Sequence, residues 1–211
     1  MFVGKRMTAD VVTVKPDDTL KQANHLLKSH RIQHLPVVEG DTLVGIISGT
    51  DIRNSTLEVT EVDHKGEMLV KNRTVEEIMI KDVITVSPWD TVEDALLIFH
   101  RRRFGALPVV EGKKLVGIIT KVDVLASFID TLSIEELGVR IEVILNREKN
   151  DFLSLIQKIH EMKLDIRSLI LSPFRENYVA FIRLSTIDVA RVKKELSDAG
   201  FHVPELSDFL D

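Results

Sequence analysis

Three kinds of hydrophobic spacing recur in the same order along this chain. Val11–Val14 is a short β-branched run stopped by Pro16, and Val83–Val86 is another stopped by Pro88, so both predict brief strands. Thr19 and Thr91 then stand where helix N-caps belong. Gln22 completes a capping-box pattern with Thr19, and Asp94 a poorer one with Thr91. Leu20, Ala23, Leu26 and Leu27 fall on one helical stripe, as do Val92, Ala95, Leu96 and Phe99. Leu35–Val38 and Leu43–Ser48 predict two strands joined across Glu39-Gly40-Asp41-Thr42, an arrangement the Glu111–Lys114 turn copies. A last helix starts at Asp51 and again at Asp123. Each unit therefore reads β-α-β-β-α, a small sheet with helices on one face.

The recurrence is an internal repeat. Displacing the chain by 72 residues lays Met7–Ile52 on Met79–Val124 without a gap, with about 22 of 46 positions identical. Two copies are too few for a solenoid, so the expected use is a pair packed face to face about a pseudo-two-fold axis. Between the copies, Asn54–Arg73 is a mixed-charge stretch that reads either as a solvated connector or as a short amphipathic hairpin.

Beyond the repeats the pattern changes. Val139–Leu145 alternates as a strand, Asp151–Met162 has helical spacing, Ile166–Leu171 and Tyr178–Leu184 are strand-like, and Val189, Val192 and Leu196 form a helical stripe. Gly200 is placed to cap that helix before a short strand at Phe201–Val203. The order β-α-β-β-α-β is that of a ferredoxin-like split βαβ fold.

Composition narrows the chemistry. A chain of 211 residues that is 44% apolar has enough material for one or two domains with a sizeable core. Its 28 Lys and Arg against 33 Asp and Glu leave a net charge of −5, which argues against a broad nucleic-acid or anionic-membrane surface. The lack of cysteine excludes disulfides, thiolate chemistry and zinc–thiolate sites. Met1–Asp10 has no apolar core of the signal-peptide type, and no apolar run approaches the ~18 residues a membrane span needs. The expectation is a soluble, cytoplasmic protein.

No enzyme motif emerges. Ile47-Ser48-Gly49-Thr50 lacks the glycine flanks of a nucleophile elbow. Neither a P-loop nor a G-x-G-x-x-G fingerprint is present, and the seven histidines form no metal-binding spacing. His30 and His34 are four apart, but the strand starting near Leu35 breaks a shared helix face. The chain thus reads as a non-enzyme, with no catalytic residue, metal ligand or catalytic cofactor expected.

The pairing of His34-Leu35-Pro36-Val37-Val38 and Ala106–Val110 with Gly45–Asp51 and Gly117–Asp123 resembles the cystathionine-β-synthase (CBS) domain, and two in tandem resemble a Bateman module. The segment from Val139 onward resembles an ACT domain. A CBS pair followed by an ACT domain is similar to the acetoin-utilisation regulatory (AcuB) family. The resemblance implies an α/β (α+β) chain divided into CBS repeat 1 (1–54), a connector (55–73), CBS repeat 2 (74–132) and an ACT-like domain (139–211).

It also implies a regulatory module that binds an adenine-containing ligand such as AMP, ADP, ATP, NAD or S-adenosylmethionine, acts as a homodimer, and modulates its own assembly or a partner enzyme. The rival reading is a structural or adaptor homo-oligomer with vestigial clefts. In the family each cleft takes its adenine wall from one copy and its ribose contacts from the other. One cleft would use Val11, Val12 and Pro36 with Thr120 and Asp123, and the other Val83, Ile84 and Pro108 with Ser48, Thr50 and Asp51.

The chemistry suits those residue types. A carboxylate accepts hydrogen bonds from both vicinal ribose hydroxyls, and a β-branched and proline wall fits an adenine face. The plain reading of Asp51 and Asp123 is helix N-capping, and that of the valines is core. Adenylate-binding relatives often carry basic residues two or three places before the proline; here Gln33 and His34 stand in one copy, Gly105 and Ala106 in the other. His34 is therefore a phosphate candidate or a surface histidine. Arg31 and Arg103 reach either phosphates or a helix C-terminus, and Arg101–Arg103 as a run reads as a solvated helix end. This argues against polyphosphate binding on both sides and for one occupied cleft. Trp89 reads as an interface residue or a half-exposed turn aromatic. The turn Asn146–Asp151 lacks the acidic–proline–glycine pattern of amino-acid-binding ACT domains, which favours pairing of subunits through exposed sheet edges.

Overall fold

Both capping signals begin helices, and the two boxes are equally complete. In α1 (Leu20–Ser29) the Thr19 hydroxyl accepts from Gln22 N at 3.2 Å, and Gln22 Oε1 accepts from Thr19 N at 2.8 Å. In α3 (Val92–Arg102) Asp94 Oδ2 accepts from both Thr91 N (3.1 Å) and Thr91 Oγ1 (2.6 Å), so the shorter acid reaches where a poorer box was expected. Those donors hold the Asp94 carboxyl below its ordinary pKa. The computed structural model describes residues 1–57, 73–147 and 151–209, and the chain divides into two units, Met1–Ser127 and Phe128–Asp211. Most of the Asn54–Arg73 stretch lies outside the described residues.

In the first unit each repeat supplies one hairpin: β1 (His34–Glu39) with β2 (Thr42–Ser48), and β3 (Ala106–Glu111) with β4 (Lys114–Thr120). Gly40 and Gly112 turn the hairpins at φ +62° and +66°, a conformation that favours glycine. The hairpins meet at Thr42 and Lys114 to give the order β1-β2-β4-β3. Helices α2 (Gly49–Leu57) and α4 (Lys121–Thr131) follow β2 and β4 directly.

The expected strands Val11–Val14 and Val83–Val86 shrink to single parallel bridges, Val14 to Val37 and Val86 to Val109. Val14 N donates to Pro36 O and Val14 O accepts from Val38 N. Extending this ladder in either direction would need an N–H from Pro36 or Pro16, and neither has one; Pro108 and Pro88 impose the same limit on Val86.

The repeats also exchange their leading segments. Val3 N donates to Asp90 O, Gly4 N to Pro88 O, and Val92 N to Met1 O, so the opening residues of the first repeat dock on the second. Val75 N to Asp18 O, Glu76 N to Pro16 O and Leu20 N to Arg73 O reproduce this on the first repeat. Val3 and Val75 are fully buried, and Val75 belongs to a core with Leu27, Leu35, Val37 and Ile47. Farther along, Thr8 bridges Ile118 and Ile80 bridges Ile46.

The second unit holds β5 (Val139–Leu145), α5 (Asp151–Glu161), β6 (Ile166–Phe174), β7 (Asn177–Leu184) and α6 (Val189–Asp198). Its antiparallel sheet has the order β5-β7-β6, so β7 splits the β5-α5-β6 unit as the spacing predicted. Ile141, Val143, Leu155, Ile159, Ile182 and Leu196 form the core. The expected final strand is reduced to one antiparallel bridge, Ile144 to His202, because the next donor along that edge would be Pro204. Gly200, at φ +86°, lies one residue past the C-cap Ala199, where a left-handed glycine ends a helix. Among the described residues no helix is long and apolar enough to cross a membrane.

Candidate functional site

The site begins at the strand-to-helix junction. Ser48 ends β2 and Asp51 falls three residues later in the first turn of α2. Asp51 Oδ2 accepts from Ser48 N (2.8 Å) and Ser48 Oγ (2.6 Å), while Asp51 N donates to Ser48 Oγ (3.3 Å). Thr120 and Asp123 repeat this at 2.7, 2.7 and 3.3 Å. Neither acid is an N-cap, as the plain sequence reading had it: Ser48 and Thr120 cap, and the acids answer them from inside the helix. Each carboxylate accepts both of its bonds on Oδ2, so Oδ1 stands outside the box.

Asp51 opens onto a cleft of about 300 Å³ walled by both repeats, at the lower end of the ~300–1,000 Å³ typical of small-molecule sites. Val83, Ile84 and Pro108 line it from the second repeat, and Ser48, Thr50 and Asp51 from the first. The six residues assigned to one cleft by sequence thus meet in one cavity. Thr50 Oγ1 accepts from Arg53 Nη2 at 2.9 Å, which orients the hydroxyl and brings a guanidinium to the rim.

His34 and Arg103 join the same cleft. His34 lies opposite Ser48 in the β1–β2 register. Its ring rests against Gly105 of the other repeat so closely that a Cβ there would stand 2.6 Å from His34 Cε1. Burial pushes the imidazole below its ordinary pKa, and the negative charge of Asp51 offsets this in part. At neutral pH the ring is therefore uncharged, with one donor and one acceptor nitrogen. Arg103 is at once a helix end and a cleft residue: it terminates α3 in the left-handed region at φ 57°, and Arg31 does the same after α1 at φ 55°.

The other predicted set is built the same way. The Thr8–Ile118 bridge sets the segment leading to Val11 and Val12 beside β4 as the Ile80–Ile46 bridge sets that leading to Val83 and Ile84 beside β2. Pro36 is buried, and Val12 is partly buried against the first repeat's core.

Sequence reasoning did not assign Ile46, Ile47, Ile80, Gly105 or Ala106 to the lining, nor the two with chemistry of their own, Asp82 and Phe104. The signal for Asp82 was present, since Asp10 precedes Val11 as Asp82 precedes Val83. Phe104 stands where the first repeat has Ile32 and carried no such mark. Trp89 is remote in character, 74% exposed with Phe2 edge-on at 6.4 Å.

The family model for the CBS domain matches residues 3–58 and 75–130, just over half the chain. An inosine-5'-monophosphate dehydrogenase of Korarchaeum cryptofilum is 39% identical over 116 residues, 54% of this chain and 22% of that protein. The chain spans between about a fifth and two fifths of the first curated relatives it matches. Among solved structures, an acetoin-utilisation protein (AcuB) of Vibrio cholerae superposes with a TM-score of 0.55 at 29% identity, covering 64% of this chain and 95% of that one. CBSX2 in complex with AMP gives 0.53 at 29% identity, covering 64% and 98%. The CBS pair of MJ0100 with 5'-methylthioadenosine and S-adenosylmethionine gives 0.52 at 27%, covering 61% and 95%.

Proposed function

Because the chain belongs to the CBS-domain family and carries two copies in tandem, we propose that it is a regulatory module binding an adenosyl ligand in the cleft over Asp51. The observation that carries this reading is the convergence of Val83, Ile84 and Pro108 with Ser48, Thr50 and Asp51 on one cavity. AMP in CBSX2, and methylthioadenosine and S-adenosylmethionine in MJ0100, give the chemical class.

In this reading the adenine lies between Val83, Ile84 and Pro108. Asp51 Oδ1 accepts from the ribose hydroxyls while Oδ2 stays in the capping box, so the acid is pre-positioned and loses little freedom on binding. Ser48 and Thr50 offer hydroxyls, and His34 and Arg103 serve the 5' substituent. The second set, Val11, Val12 and Pro36 with Thr120 and Asp123, forms the pseudo-symmetric counterpart. Regulation is the difference in ligand affinity between two arrangements of the protein, typically about 1–3 kcal/mol. No step of bond making is involved.

The reading divides the chain at 1–54, 55–73, 74–132 and 139–211, and takes the tail as ACT-like on its split βαβ order. It places the molecule in the cytoplasm as a homodimer acting on a partner enzyme in an acetoin-utilisation-like role. The test is calorimetric titration with AMP and S-adenosylmethionine. Removing a charged hydrogen-bond acceptor costs about 1.5–3 kcal/mol, so Asp51→Ala is expected to weaken binding at its cleft by roughly ten- to a hundredfold, and Asp123→Ala to do so at the other. Unchanged affinity in both variants would overturn the assignment of these acids, and no binding by the wild type would leave a scaffold with vestigial clefts.

A further inference from the structure

We propose that the cleft over Asp51 admits adenosine ligands whose 5' substituent carries no more than one phosphate, and that Asp82 sets this limit. The inference rests on the adenosyl-binding reading above and narrows it.

The charges around the cleft are balanced without a positive surplus. Asp51 and Asp82 line it as carboxylates, and Arg103 lines it as the one permanent cation among the lining residues. Arg53 adds a second guanidinium at the rim through its bond to Thr50. His34 is uncharged at neutral pH because its ring is buried against Gly105. The loop that faces it from the second repeat offers Phe104, Gly105 and Ala106, none of which carries a cationic or polar side chain. Arg101 and Arg102, one step earlier, are exposed and stand outside the lining.

A single phosphate monoester brings about −1.5 to −2 at pH 7, which Arg103 and Arg53 together can meet. Each further phosphate adds negative charge for which no cation remains, and Asp82 then acts on it as a like charge. Like charges brought close repel even at the dielectric of water, and more strongly near a protein wall. A methylthio or sulfonium substituent meets no such penalty, because Asp82 is neutral or attractive toward it. The counterpart Asp10 stands at the same place before Val11.

The experiment is calorimetric titration of the full chain with ATP, AMP and 5'-methylthioadenosine, in the wild type and in Asp82→Asn and Asp82→Lys. Asp82 is exposed, so both variants keep the fold. The wild type is expected to bind AMP at least tenfold more tightly than ATP. ATP affinity should rise by roughly three- to tenfold in Asp82→Asn and further in Asp82→Lys, while methylthioadenosine stays within twofold. ATP and methylthioadenosine responding alike to both variants would overturn the proposal while leaving adenosyl binding intact. Absence of binding by all three ligands to the wild type would instead remove the reading on which it rests.

Discussion

His34 shows how one side chain's setting decides its charge. Its pKa in the native state is lowered by burial, whereas in the unfolded chain it lies near 6.5. Between those two values the unfolded chain binds more protons than the native one. Stability is therefore full above about pH 6.5 and declines as pH falls through the native-state pKa. Urea denaturation at pH 7.5 and 5.5 should show this loss, and His34→Gln should flatten it; equal slopes in the two proteins would refute the assignment. Gly105→Ala inserts a Cβ into the ring of His34, and overpacking of this kind costs roughly 1–3 kcal/mol. Asp51 has two duties on two oxygens. Asp51→Ala is thus expected to lower stability by about 1 kcal/mol through the lost capping box, a loss thermal unfolding detects without any ligand present.

At the level of elements, the exchanged leading segments make each repeat depend on the other. Val3 opens the first repeat, yet it is fully buried beside the second repeat's Pro88–Val92 turn and helix start. Removing its two outer methyl groups forfeits about 0.8 kcal/mol each, with a cavity contribution besides. Val3→Ala and Val75→Ala should each cost roughly 2 kcal/mol in denaturant unfolding. A surface-like loss near zero for Val3→Ala would show that the segment does not hold the second repeat. The same elements explain why the strand signals at Val11–Val14 and Val83–Val86 overstated the ladders. The β-branched runs are real, but a proline in the partner strand (Pro36, Pro108) and one in the run's own segment (Pro16, Pro88) stand where the pairing would continue.

For the molecule as a whole, ligand binding and stability are linked. An adenosyl ligand at ~100 times its Kd stabilises the native state by about 2.7 kcal/mol. For a chain of this size that amounts to a rise of roughly 5–10 °C in Tm, read on the transition of the Met1–Ser127 unit. No rise with any adenine compound would count against the nucleotide-sensing role. The second unit's transition is expected to stay where it is, since the lining residues of the cleft all lie in the first.

What the sequence determined by itself is what local chemistry controls. The helix starts at Thr19 and Thr91, the glycine-turned hairpins, the split order of the second sheet and the doubling of the Ser48–Asp51 motif as Thr120–Asp123 all follow from neighbouring residues and fixed periodicity. The tertiary structure alone decided which repeat receives Val3 and Val75, that His34 crosses to Gly105 and loses its charge, and that Asp82 enters the cleft. Those outcomes depend on contacts between residues far apart in the chain, where burial and proximity are properties of the packed pair and not of either segment alone.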